Sequence, residues 1–413
     1  VAIVKELRCP ICDRAYALDA VQYTCPVCGE VGTLDVLYDY EALKASVDRT
    51  GIAAGPNSMW RYKALLPIQP ESAVPPLRVG WTPLYEAPRV AADLGLGRVW
   101  LKDDGQNPTG SFKDRASAMI VARALELGIE TISTASTGNA AAALAGLCAS
   151  VGKVPIIFVP ASAPEAKIAQ LLVYGATVLL VNGTYDRAFD LCTQMCLNEG
   201  WYCRNTAMNP YTTEGKKTAA YEIAEQLDWH IPDVVVVSVG DGNIIAGVYK
   251  GFYDLYQLGW IERMPRLVGA QAAGSAALYQ AWREGIRAED MTPIDAHTLA
   301  DSISAGLPRD RAKALRAVRQ TQGAYVSVSD AAILEAIPRL AQLSGVFVEP
   351  ACAAVFAGAE QARREGLISP DESVVMLLTG NGLKDIRRAQ QSVGAGMPVE
   401  PTLESVKRAL THR

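Results

Sequence analysis

Short apolar runs recur along the chain, separated by stretches with helical spacing of apolar positions. The runs are Val99-Trp100-Leu101, Thr131 to Thr134, Pro155 to Val159, Thr177 to Val181, Val234 to Val239, Arg266 to Ala270, Ala324 to Ser327 and Ser373 to Leu378. Val234 to Val239 has no polar alternation except Ser238, the pattern of a strand buried on both faces. Strand-helix alternation predicts right-handed crossovers and an α/β fold, a mostly parallel sheet flanked by helices. Before this body, which begins near Trp81-Thr82-Pro83-Leu84, Glu41 to Pro76 reads as a helical connector ending in a Pro-rich link. No internal repeat or low-complexity tract is present.

The first 40 residues follow different rules. Cys9, Cys12, Cys25 and Cys28 are spaced C-x2-C-x12-C-x2-C, with Cys-Pro at both knuckles. Two tight turns that each present two thiolates predict a closed tetrahedral site, with zinc favoured and iron the lesser option. Four thiolates leave no open position, so the expected role is structural. The other cysteines, Cys148, Cys192, Cys196, Cys203 and Cys352, lie in apolar segments and read as core thiols.

Composition narrows the function classes. Half of the 413 residues are apolar and the net charge is −5, the balance of an ordinary enzyme rather than a nucleic-acid binder. No apolar run reaches membrane-spanning length, and no signal peptide is expected at the start. A cytoplasmic, reduced setting suits the cysteines. The three histidines are His230, His297 and His412, few candidates for a histidine triad or catalytic metal site. A cofactor that brings its own electron sink, with lysine as base, fits that shortage.

Lys113 is the first candidate. It follows Asn107-Pro108-Thr109-Gly110-Ser111-Phe112 and opens a helical stretch that starts with Asp114-Arg115. An amine at a loop-helix junction can condense with the aldehyde of a cofactor and act as acid and base once released. Ser136-Thr137-Gly138-Asn139, before an alanine-rich run, offers hydroxyls at a helix start, an anion site or a plain cap. Gly240-Asp241-Gly242-Asn243-Ile244 follows the most apolar run, where backbone amides can cradle a phosphate. A nicotinamide loop is disfavoured there, because position 245 is Ile where G-x-G-x-x-G needs Gly. Leu378-Thr379-Gly380-Asn381-Gly382-Leu383-Lys384-Asp385 follows the last run.

In this order the four strings resemble those of the fold-type II, tryptophan synthase β-like pyridoxal phosphate (PLP) enzymes, over roughly residues 80–390. The lysine string is most similar to that of the threonine synthases, some of which carry an N-terminal extension. The resemblance implies two lobes: a large PLP-binding lobe over 81–116 and 221–395, and a small lobe over 117–220. The ribbon would take 1–40, the connector 41–80 and a tail 396–413. It implies that Lys113 carries PLP, that Asn139 bonds the cofactor's phenolic oxygen, and that Gly240, Asp241, Gly242, Asn243 and Ile244 hold its phosphate. The Asp241 side chain is then expected to turn away from that dianion or to meet it through water. Thr379 would face the pyridine nitrogen and leave it neutral, keeping charge nearer Lys113. Ser136 and Thr137 would hold the substrate carboxylate.

The implied reaction is γ-elimination and β-addition on O-phosphohomoserine, giving threonine and phosphate, in a homodimer. Two departures stand out. Asn381 replaces a histidine. Thr212 occupies the place of an arginine in Asn209-Pro210-Tyr211-Thr212-Thr213-Glu214-Gly215-Lys216-Lys217-Thr218, where Lys216 in turn replaces a glutamine. Lys216 is the candidate to meet a phosphorylated substrate in its stead, with Lys102, Arg309 and Arg311 as further cations. A threonine or serine dehydratase, or a β-replacement enzyme of the cysteate synthase kind acting on O-phosphoserine, remains open on these residues. So does a ribbon-bearing pseudoenzyme or regulatory module.

Overall fold

The computed structural model describes residues 4–21, 23–163 and 165–411; His412 lies outside them. Three sheets organise the chain. A six-stranded sheet runs, edge to edge, Ala324–Val328, Arg266–Ala272, Val234–Ser238, Ser373–Leu378, Arg98–Asp103 and Leu84–Glu86. All its pairings are parallel except the last, where Leu84–Glu86 lies antiparallel on Arg98–Asp103. A four-stranded, wholly parallel sheet runs Thr177–Val181, Ile156–Pro160, Ile132–Ala135 and Tyr202–Cys203. The central strand Val234–Ser238 is buried at every position, which its apolar run required. Each of the eight expected strands forms, with ends displaced by one or two residues at most.

Three short antiparallel strands, Val4–Arg8, Ala15–Tyr16 and Asp35–Tyr38, make the N-terminal sheet. Helices Tyr40–Ser46 and Arg49–Ala53 and a 3-10 run Met59–Leu65 lead into the body. The last described segment is an amphipathic helix, Leu403–Thr411, with Leu403, Val406 and Leu410 exposed. Among the described residues, no helix is long and apolar enough to cross a membrane.

One buried charge cluster fixes the site's foundation. Arg115 grips Asp104 through Nε (2.6 Å) and Nη2 (2.9 Å) and also reaches Glu222 (2.8 Å). Lys102 donates to the same Glu222 (2.7 Å) and to the Thr82 carbonyl (2.7 Å). All four charged side chains are fully buried. Burial alone would raise the Glu222 carboxyl, but Arg115 and Lys102 outweigh it and hold it down to about 2. Lys102 is therefore committed to the core and is not available to a substrate.

Candidate active site

The motif around Lys113 divides into residues that build a turn and one that is left over. Asn107 accepts from the Gly80 amide (2.9 Å) and donates to Asp104 (3.0 Å). Asp114 accepts from the Thr109 amide (2.9 Å) and hydroxyl (2.6 Å), and burial pushes its carboxyl up to about 6. Arg115 belongs to the cluster below. Helix Lys113–Glu126 thus begins on a fixed footing, with Lys113 as its first residue. The turn is docked on the end of Ser373–Leu378: the Phe112 amide donates to the Thr379 carbonyl (2.8 Å), and Ser111 pairs with Gly380.

Lys113 and Thr379 therefore line one cavity, together with Thr206, Lys216, Ser238, the whole Gly240–Ile245 loop and Ala351. Its walls come from loops after Val234–Ser238 and Ser373–Leu378, the carboxyl ends of parallel strands, where open α/β sheets place ligands. Burial and the Arg204 guanidinium lower the Lys113 amine from its ordinary range, against the opposing pull of Glu349.

The glycines of the loop have steric causes. A Cβ on Gly240 would stand 2.8 Å from the Ile303 Cα. Gly242 has φ +89° and caps the helix Asn243–Gln257, whose first amides lack partners within the helix. Beside them the Ser238 hydroxyl is buried with no hydrogen-bond partner. Free helix-start amides and an orphaned hydroxyl around a lysine-lined cavity fit a phosphate-bearing aldehyde cofactor. The Asp241 carboxylate accepts from the Arg309 amide (3.3 Å), and Asp241 lines the cavity. Lys216 is fully buried, its amine on the Asn243 side chain. Arg309 and Arg311 are engaged elsewhere: the first stacks on Phe189 (3.7 Å), and the second donates to the Ala288 carbonyl (2.8 Å).

Thr137 and Asn139 line a second, outer cavity with Lys167, Gln170, Glu349 and Lys384. Ser136 accepts the Gly138 amide (3.2 Å) at the start of helix Asn139–Ala149. The Asn139 amide donates to both Glu349 oxygens (2.9 and 3.1 Å). Asn381 caps the following turn at Leu383 (3.0 Å), and Cys352 accepts the Thr379 and Gly380 amides (2.8 and 2.9 Å). Thr212 is fully buried, donates to the Asn209 carbonyl (2.8 Å) and lines neither cavity. The sequence reading missed Glu349, Ser238, Arg204 and the buried amine of Lys384, which also has no partner. Only Glu349 carried a signal: it precedes Pro350 at the head of helix Pro350–Arg364 yet caps nothing there.

In the ribbon, the four thiol sulfurs lie within 4.8 Å of one another, and those of Cys12 and Cys25 are 3.7 Å apart. Zinc-sulfur bonds of ~2.3 Å in a tetrahedron require sulfurs about 3.8 Å apart, so the donor set fits zinc. None of the nine cysteines forms a disulfide in the described residues.

Residues 76–380 match the family described as "Pyridoxal-phosphate dependent enzyme". The chain is 39% identical over 405 residues to a threonine synthase of Methanocaldococcus jannaschii, covering 98% of both proteins. The chain belongs to the threonine synthase family of pyridoxal-phosphate dependent enzymes. A threonine synthase of Methanosarcina acetivorans is similarly 39% identical over 407 residues, with 98% of each chain covered. Among solved structures, threonine deaminase isoform 2 of Solanum lycopersicum superposes with a TM-score of 0.65 at 23% identity, over 76% of this chain and 84% of that one. Diaminopropionate ammonia lyase of Escherichia coli gives 0.64 at 18%, over 76% and 87%. These two share the fold. The expected α/β, fold-type II architecture and PLP-dependent lyase class stand on these relationships and on the sheets above.

Proposed function

We propose that this chain converts O-phosphohomoserine and water to threonine and phosphate. The observation that carries the reading is the convergence of Lys113, the Gly240–Ile245 loop, Thr379 and Lys216 on one cavity, in a chain with threonine synthase relatives along its whole length. PLP, when bound, supplies a conjugated ring that makes substrate C–H bonds acidic. Lys113 would hold the cofactor and, once released, move protons at Cα and Cβ; its lowered affinity for protons leaves more of it neutral and able to accept one. The amides of Gly240, Asp241, Gly242, Asn243 and Ile244, with the Ser238 hydroxyl, would hold the cofactor phosphate. Thr379 would present a neutral hydroxyl to the ring nitrogen. Asn139, oriented by Glu349, would meet the phenolic oxygen. Ser136 and Thr137 would take the substrate carboxylate, and Lys216 would add positive charge for a phosphorylated substrate.

The same reading assigns the ribbon, residues 1–40, to zinc held by Cys9, Cys12, Cys25 and Cys28. It also keeps the division into connector 41–80, large lobe 81–116 and 221–395, small lobe 117–220 and tail 396–413. A cytoplasmic homodimer is proposed with it, and sedimentation tests the dimer. The deciding experiment supplies holoenzyme with O-phosphohomoserine, O-phosphoserine plus sulfite, threonine and serine. Phosphate and threonine from the first support the proposal. Ketoacid from threonine or serine alone replaces it with a dehydratase, and phosphate from O-phosphoserine alone replaces it with a β-replacement enzyme.

A further inference from the structure

Arg204 immediately follows the strand Tyr202–Cys203, at the carboxyl end of the four-stranded sheet. Its side chain is fully buried. Its hydrogen bonds go to hydroxyls: Nε donates to Ser117 (3.0 Å) and Nη1 to Thr206 (3.1 Å). Nη2 is buried with no partner at all. Among the described residues, no carboxylate forms an ion pair with it, and burial brings the guanidinium down to about 10. A buried cation without a counter-charge is strongly unfavourable, and natural cores pair such groups. Thr206, which Nη1 holds, lines the cavity beside Lys113, and the charge of Arg204 is felt at both Lys113 and Lys216. Two cations, Lys113 and Lys216, thus line the cavity, and a third, Arg204, stands directly behind Thr206 in its wall. Two already have assigned tasks: Lys113 is the reactive amine, and Lys216, held by Asn243, adds charge for the phosphorylated substrate.

We infer that Arg204 joins Lys216 in recognising the phosphate ester of the substrate, its free Nη2 meeting the dianion. This rests on the proposed phosphorylated substrate and deepens it: the anion is supplied by the substrate, so the charge is uncompensated only while the site is empty. A guanidinium already braced at Nε and Nη1 loses little freedom on binding, and its remaining donors suit a phosphate. Thr212 does not take that role, because its hydroxyl donates to the Asn209 carbonyl just before its helix.

The test uses holoenzyme of wild type, Arg204→Gln and Arg204→Lys. Removing one charge-assisted contact to phosphate should raise KM for O-phosphohomoserine roughly ten- to a hundredfold. Arg204→Lys should recover part of that loss, kcat should move much less, and cofactor content should stay at the wild-type level. Inorganic phosphate should raise the Tm of wild type and not that of Arg204→Gln. An unchanged KM with unchanged phosphate response overturns the inference. So does loss of cofactor from Arg204→Gln while KM at saturating PLP stays normal, which would assign the arginine to the cofactor's phosphate. If wild type releases no phosphate from O-phosphohomoserine, the proposed reaction fails first, and the Tm response to inorganic phosphate alone then decides: a response confined to chains with a cation at 204 keeps the anion site, and equal responses remove it. If Arg204→Gln does not fold, the KM and phosphate response of Arg204→Lys decide in the same way.

Discussion

Arg115 and Arg204 are both fully buried arginines in the same chain, and they live in opposite circumstances. Arg115 meets two carboxylates, Asp104 and Glu222, and shares the second with Lys102. Arg204 meets two hydroxyls and nothing charged. The first network is complete in the protein alone, so its task is to hold the turn that presents Lys113. The second is incomplete without a ligand. Satisfaction of buried charge thus separates foundation from site more sharply than burial or residue type does.

That contrast can be broken at several points. The largest effect is expected at Lys113, which has no structural bond to lose. Lys113→Ala should reduce turnover by about a thousandfold or more, with Tm near wild type, and borohydride trapping of the loaded wild type followed by peptide mapping should mark Lys113 alone. A mark on another lysine would sink the assignment. On the complete side, Glu222→Gln leaves Arg115 and Lys102 short of a counter-charge and should cost about 3–5 kcal/mol of stability, read by urea unfolding. A change under 1 kcal/mol would mean the network is not the foundation described.

The same carboxylate predicts an acid limit. Its value in the fold, about 2, lies below its ordinary 4.5, so its contribution is present above 4.5 and drains away as pH falls toward 2. Unfolding free energy measured down that range should decline in wild type and decline less steeply in Glu222→Gln; parallel curves would disprove the linkage. The smallest effect concerns the ribbon. Thr33 donates to Asp310, and Asp310 accepts from Asn243 of the phosphate loop. Stripping the metal with a chelator should loosen the N-terminal sheet and weaken cofactor retention a few-fold, and Thr33→Val should reproduce part of that at about 1 kcal/mol or less. Full cofactor retention after verified metal loss would show that the ribbon and the loop are independent.

The sequence showed those parts whose causes are local or periodic. Val234 to Val239 declared its strand because burial on both faces leaves no room for polar alternation. The Lys113 string was legible because the turn builders, Asn107, Thr109 and Asp114, are its neighbours in the chain. The edge strand Tyr202–Cys203 and the helix Leu403–Thr411 gave no comparable pattern, one being two residues long and the other largely exposed. Glu349 escaped because its partner Asn139 is 210 residues away. Arg204 escaped because what distinguishes it is a missing contact, and a sequence cannot show which cation the fold will leave without one.

The ribbon's two attachments bear on how the two halves are held together. Tyr23 accepts from the Cys203 amide (2.9 Å) at the edge of the four-stranded sheet, while Lys313 donates to the Leu34 carbonyl (2.8 Å) from a helix beside the six-stranded one. One small module is therefore riveted to both halves, like a spine along one side of a book. On the fore-edge, Lys167 and Asp301 meet at 3.2 Å in a partly exposed pair, a contact worth about 0–1 kcal/mol. The outer cavity lined by Thr137, Lys167, Gln170 and Asp301 lies beside that weak pair, so the side away from the ribbon is the more lightly fastened of the two.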